Sequence, residues 1–233
     1  TFVIVLCRIL SMPLVIDHGD VSFRLNYLFN RVELSRDARE NWSIFFQDEH
    51  DSLGTIFGLT CHRGSLFIVT DSGVYASPID AANFQLVCPQ RKGGDYVDIE
   101  SFDNMLYACT NTGIYQASSG VRWRLKYDGQ ACGNFFSLLQ FKGKLFAACE
   151  KGVYLASQEG KFWHPRYTAN EYGRFLALDA RGDTLYAQTD KGYCLSHDNG
   201  QHWEAHPSLQ GPWTDAMGGG MLFAPRPIKK RNR

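Results

Sequence analysis

Few residues of this chain have the types and spacing to do chemistry together. Asp95 and Glu171 could be the acid pair of a glycosidase, which needs two carboxyl groups within about 5 to 10 Å of each other. Nothing in their spacing fixes that separation. His202 and His206 have the interval of a metal-binding helix but fall on a predicted strand, where such residues stand about 13 Å apart. No metal and no cofactor is therefore expected. The seven cysteines (Cys7, Cys61, Cys88, Cys109, Cys132, Cys149, Cys194) are odd in number and contain no Cys-x-x-Cys pair. Cys109 and Cys149 recur at one place in successive repeats, where a small buried hydrophobe is the expected role. Free thiols point to a reducing compartment.

A second pattern concerns recognition. A Gly opens a predicted strand again and again, and the residue after it changes each time: Gly54-Thr55, Gly94-Asp95, Gly133-Asn134, Gly173-Arg174. Variable polar positions beside an otherwise apolar repeat are where a repeated scaffold would carry specificity. With Tyr96, Tyr172 and Trp213 in adjoining loops, they form a candidate mouth for a peptide or a sugar; ordinary solvated rim loops are the alternative. The terminal Lys229, Lys230, Arg231 and Arg233 could touch nucleic acid or an acidic partner, but a solvated basic tail is the simpler reading.

The elements that must position these residues repeat with a period of about forty. Gly73-Val74-Tyr75, Gly113-Ile114-Tyr115, Gly152-Val153-Tyr154 and Gly192-Tyr193-Cys194 are spaced by 40, 39 and 40 residues. Aromatics at 42, 84, 123, 163 and 203 keep the same step. Each repeat reads as four short strands joined by turns, too small to bury two faces alone, so the units must stack. Radial stacking makes an all-β propeller of four-stranded antiparallel blades. Composition agrees: 22 glycines and 14% aromatics favour strands and turns. Lys+Arg and Asp+Glu are both 24, so no global field selects nucleic acid or membrane. Phe2–Cys7 is too short to cross a bilayer and reads as a strand. With Pro212–Met217 and Met221–Ala224 it would close a sixth blade between the termini, which removes two open sheet edges. Six blades are favoured and five are the alternative, in one domain of residues 1–228 followed by the tail 229–233.

The turn from Ser196 to Trp203 recurs in register with this period. Asp198 and Ser196 can accept backbone N–H groups, Gly200 supplies positive φ, and Trp203 packs. Ser35, Asp37 and Trp42 repeat it, and Ser77 to Phe84, Ala117 to Trp123 and Ser157 to Trp163 are decayed copies without the Asp. Ser-x-Asp-x-Gly-x-x-Trp resembles the Asp box, or BNR repeat, of sialidase-like β-propellers. The resemblance implies that the box is a structural corner between the third and fourth strands of a blade. That family includes sialidases and other glycosidases, photosystem assembly factors, sorting receptors and phage-particle propellers. A sialidase would need an arginine triad, a Tyr–Glu nucleophile pair and an Asp, and Cys7-Arg8-Ile9-Leu10 matches only two residues of the family's Arg-Ile-Pro motif. The expected function is a non-enzymatic scaffold that presents its faces to protein partners. It would be a component of a larger assembly such as a virus particle, and cytoplasmic or virion-associated. The alternative is a carbohydrate-binding or glycoside-cleaving propeller that uses the channel mouth.

Overall fold

The computed structural model describes residues 14–48, 50, 52–89 and 95–206. The described residues fold into five antiparallel sheets, each with its four strands in chain order. Blade 1 comprises β1 (Leu14–His18), β2 (Val21–Asn26), β3 (Arg31–Ser35) and β4 (Ser43–Gln47). Blade 2 comprises β5 (Ile56–His62), β6 (Ser65–Thr70), β7 (Gly73–Pro78) and β8 (Gln85–Pro89). Blade 3 comprises β9 (Tyr96–Phe102), β10 (Met105–Thr110), β11 (Ile114–Ala117) and β12 (Arg124–Tyr127). Blade 4 comprises β13 (Phe135–Phe141), β14 (Lys144–Cys149), β15 (Gly152–Ser157) and β16 (Phe162–Tyr167). Blade 5 comprises β17 (Phe175–Arg181), β18 (Thr184–Thr189), β19 (Gly192–Ser196) and β20 (Glu204–Ala205). First strands lie beside first strands, β1 by β5, β5 by β9, β9 by β13 and β13 by β17, so the blades radiate from an axis. The described residues form a β-propeller with five blades, the alternative of the two counts. Phe2–Cys7, Pro212–Met217, Met221–Ala224 and the basic tail lie outside the described residues.

Alternation along each second strand explains the stacking, because successive side chains point to opposite faces and so to opposite neighbours. Phe23 and Leu25 meet Leu66 and Ile68 of blade 2. Phe67 and Val69 meet Leu106 and Ala108 of blade 3. Tyr107 and Cys109 meet Leu145, Ala147 and Cys149 of blade 4, and Phe146 and Ala148 meet Leu185 and Ala187 of blade 5. These side chains are almost all fully buried, and each large one stabilises the stack by about 1.5 to 3 kcal/mol.

The outer faces of blades 1 and 5 differ. On β2 the residues that point away from blade 2 are Ser22, Arg24 and Asn26. Beside them Glu33, only 2% exposed, is gripped by Arg24, by Arg31 at 2.5 Å and by Asn26 at 3.0 Å. Burial works against the Glu33 charge, but the two guanidinium groups outweigh it and hold the carboxyl below its ordinary value. In blade 5, Tyr186 and Gln188 on the corresponding face are only partly buried.

The corners are rigid. Ser196 Oγ donates to Asp198 Oδ1 at 2.9 Å and accepts the Gly200 N–H at 2.9 Å, while the N–H groups of Gln201 and His202 reach Asp198 Oδ1 at 2.9 Å each. Partial burial opposes the Asp198 charge, yet these bonds and the His202 ring hold the carboxyl well below the usual carboxylate range. At the first copy, Asp37 falls to about 2, chiefly through the Asn41 N–H, then the Ser35 hydroxyl. Arg39 adopts φ 74° in the place of Gly200. The decayed corners at Trp123 and Trp163 keep one bond of the complete corner: the indoles of Trp123, Trp163 and Trp203 donate to the carbonyls of Gly120, Gly160 and Gly200 at 2.7, 3.1 and 3.2 Å.

Candidate functional site

First strands begin at one end of the axis, the mouth end, and run toward the corners at the other. The glycines that open them have a local cause. Gly173 sits at φ +81°, and a Cβ there would lie 2.1 Å from Asp190 Oδ1; Gly54 at φ +80° is crowded by Asp71 in the same way. In blades 2, 4 and 5 the hairpin after the second strand folds back over this glycine, and in blades 3, 4 and 5 its backbone ties to the variable residue. Asn111 N reaches Asp95 O at 3.3 Å, Glu150 N reaches Asn134 O at 2.8 Å and Asp190 N reaches Arg174 O at 3.1 Å. Each of these strands then carries a bulge one or two residues on, at Phe57, Val97, Phe136 and Leu176, which turns the chain into the axis.

Thr55, Asp95, Asn134 and Arg174 therefore share one position in four consecutive blades. Asn134 and Arg174 are exposed, and Thr55 and Asp95 partly so. Arg174 is held by Asp190, Nε to Oδ2 at 3.0 Å. Tyr96 is displaced from the expected mouth: it is the first residue of β9, buried to 3%, with its hydroxyl 3.7 Å from Cys88 Sγ and its ring near Trp123. Its place in the strand points it between blades. Trp213 lies outside the described residues. Tyr172 is tied down, its hydroxyl donating to the Trp203 carbonyl at 2.7 Å. Asp95 and Glu171 precede blades 3 and 5 and so stand two blades apart. His202 is bound within its own corner, Nδ1 to Asp198 Oδ2 at 2.5 Å, and His206 packs on Tyr186.

Below the mouth, the axis holds a set of polar groups that no motif marked. The first strand of a blade is a sheet edge with free N–H groups, and the preceding blade satisfies them with side chains. Asp98 Oδ2 accepts the Leu138 N–H at 3.0 Å, and Ser137 Oγ accepts that of Leu178 at 3.4 Å. Two residues further along, Thr60 Oγ1 accepts the Ser101 N–H at 3.2 Å, and Glu100 accepts that of Gln140. Gly58 leaves room for this arrangement, since a Cβ there would stand 2.7 Å from Asp98 Oδ1. Glu100 Oε1 also takes the Ser101 N–H at 3.0 Å and the Thr60 hydroxyl at 3.5 Å. Although Glu100 keeps some exposed surface, its carboxyl is enclosed; burial, with the Asp98 charge adding to it, pushes its pKa up to about 8. Burial likewise raises Asp179, against the Ala180 N–H and Arg181.

A Ser–His pair joins two neighbouring blades, His62 Nδ1 lying 2.9 Å from Ser101 Oγ. The other ring nitrogen faces the Ser118 carbonyl at 3.2 Å rather than the carboxylate of a catalytic triad. The histidine ties blade 2 to blade 3. Among the described residues no group of three or more His, Cys, Asp or Glu side chains could hold a metal ion. The side chains at the axis are occupied in joining blades; at the mouth Asn134 and Arg174 are exposed.

No family model and no curated protein matches the chain. Solved structures do share the fold. YCF48 bound to D1 peptide superposes with a TM-score of 0.56 at 15% identity over 84% of this chain, which spans 66% of that protein. The structure of a nidogen/laminin complex gives a TM-score of 0.62 at 12% identity, covering 78% of this chain and 76% of that one. An ancestral GH74 enzyme gives 0.56 at 14% identity over 85% of this chain, which spans 31% of the enzyme.

Proposed function

We propose that this chain is a non-enzymatic interaction module, a rigid propeller that holds a segment of a protein partner across its mouth end within a larger assembly. The observation that carries this reading is the ring of Thr55, Asp95, Asn134 and Arg174. One backbone position, tied to the hairpin in blades 3, 4 and 5 and opened by a crowded glycine in blades 2, 4 and 5, presents a hydroxyl, a carboxylate, an amide and a guanidinium. Such a row of differing hydrogen-bonding groups on a stiff frame suits an extended peptide, whose own polar groups alternate along its length. Two of the similar structures contain a peptide or protein partner by name, which is consistent with the reading. The corner bonds at Ser196–Trp203 and Ser35–Trp42 suit membership of the Asp-box propellers, with the box as a structural corner. Free thiols among the described residues suit a reducing compartment.

The test is capture from a source extract by the wild-type chain and by the charge reversals Arg174→Glu and Asp95→Lys. Both reversals should lose the captured proteins, and Asp198→Ala at the far end should keep them. A strictly monomeric chain that captures nothing, or reversals without effect, would overturn the proposal. A glycan array and a fluorogenic glycoside panel should both be blank; a signal lost in Arg174→Glu would favour the carbohydrate reading instead.

A further inference from the structure

The fold brings together two thiols that lie 17 positions apart in the chain. Cys132 sits in the turn that leads into blade 4, and Cys149 ends β14 of the same blade. Both are fully buried in one cluster, and their side chains hydrogen-bond to each other. Tyr127 places its hydroxyl 3.5 Å from Cys132 Sγ. The Cys132 backbone is fixed from both sides, its N–H on Gly129 O at 3.0 Å and its carbonyl on the Lys151 N–H at 3.2 Å.

We propose that Cys132 and Cys149 form a reversible redox site, oxidised by hydrogen peroxide or another small peroxide to a disulfide that staples the turn before blade 4 to β14. The two sulfurs differ in reactivity. Hydrogen bonds from Cys149 and Tyr127, with the Lys151 charge, bring the Cys132 thiol below its ordinary value despite burial, while the same contact and burial raise Cys149. Cys132 is therefore the attacking sulfur. Its thiolate attacks one peroxide oxygen, the O–O bond breaks, and the departing hydroxide takes a proton to leave as water. The Cys149 sulfur then attacks the resulting sulfenic acid, the S–S bond forms as the S–O bond breaks, and a second water leaves with the Cys149 proton. Two thiols lose two electrons and peroxide gains them.

Access comes through the turn. Gln130 and Ala131 are exposed above Cys132, and the flanking Gly129 and Gly133 have φ of 73° and 75°. Opening this short segment uncovers the sulfur without unfolding a blade. The disulfide would also pin Asn134, two residues on, at the mouth; the chemistry itself is independent of the partner-binding proposal.

The experiment treats the reduced 233-residue chain with hydrogen peroxide under native conditions, blocks remaining thiols with N-ethylmaleimide in denaturant, and reads the peptides by mass spectrometry. A Cys132–Cys149 linked peptide should form on the order of tenfold faster than thiol is lost at Cys88 or Cys194, and dithiothreitol should reverse it. In Cys149→Ser, dimedone should trap Cys132 as a sulfenic acid. The proposal is overturned if both thiols persist until Cys88 and Cys194 also react, or if Cys132 links to a different cysteine in the wild-type chain.

Discussion

Replacing Glu100 by Gln should stabilise the protein at neutral and alkaline pH and flatten its dependence on pH. In the unfolded chain the carboxyl titrates near its ordinary 4.5; in the folded protein, enclosed and beside Asp98, it does so at about 8. A group raised in this way favours the folded state fully below about pH 4.5, and that contribution is lost as the pH rises through the folded value. The loss is about 1.4 kcal/mol per pH unit in between, so roughly 4 kcal/mol between about pH 5 and pH 8, a ceiling because the residue keeps some exposed surface. Gln resembles the protonated acid: its carbonyl still accepts from Ser101 and Gln140, its amide donates where the acid proton did, and nothing titrates. Urea unfolding of both proteins at several pH values, with unchanged m, measures the difference. The midpoints should nearly coincide at about pH 5 and diverge steadily toward about pH 8. Parallel curves would refute the argument, since the carboxyl would then be ionised in the fold without cost.

Three further substitutions separate the corner from the mouth and the core. Asp198→Ala removes the acceptor of two backbone N–H groups and should cost roughly 1 to 3 kcal/mol in urea unfolding. Because the Asp198 carboxyl is held below its ordinary value, that contribution is present above about pH 4 and fades as the pH falls below it, so the mutant penalty should shrink in acid. Gly173→Ala forces a Cβ against Asp190 at positive φ and should cost about 1 to 3 kcal/mol, part of it restored by adding Asp190→Ala; a neutral single mutant would show that the hairpin yields. Trp163→Phe loses the bond to Gly160 O, and its thermal midpoint should fall by more than that of Asp37→Ala, whose carboxylate lies at an exposed corner.

The sequence carried the blades because their signals are local. Turn residues and a large aromatic recur every forty positions, and the bonds that hold Trp123, Trp163 and Trp203 to a glycine carbonyl explain why the ring outlasts the Asp in decayed copies. The strand-opening glycines were legible for the same reason, although their cause, the hairpin folded over them, is a contact between residues 17 positions apart. The axis was not legible. Thr60, Asp98, Glu100 and Ser137 act on backbone N–H groups forty residues away, and a backbone donor leaves no trace in a residue type. Tyr96 was misplaced because a tyrosine after a variable residue looks like a loop aromatic, while its equivalents Phe135 and Phe175 show it to be a core position. A signal was available for the Cys132–Cys149 pair only as two cysteines in one repeat.

The first repeat departs from the others where the chain needs it to. Arg31-Val32-Glu33 stands at the place of Gly73-Val74-Tyr75, so the face of blade 1 turned away from blade 2 carries an ion cluster in place of an aromatic. The cluster is satisfied from within blade 1, by Arg24, Arg31 and Asn26, and demands no apolar partner. Four hydrophobic clusters of described residues join blades 1 to 2, 2 to 3, 3 to 4 and 4 to 5; none joins 5 to 1. In a stack held by neighbour contacts, a unit with two apolar seams opens less often than one with a single seam. Amide hydrogen exchange should therefore be slowest in β10 and β14 and faster in β2 and β18, although all four are second strands with the same ladder. Equal protection would mean that the lack of a second apolar seam costs blades 1 and 5 nothing, and that the reasoning from Glu33 and its two arginines is mistaken.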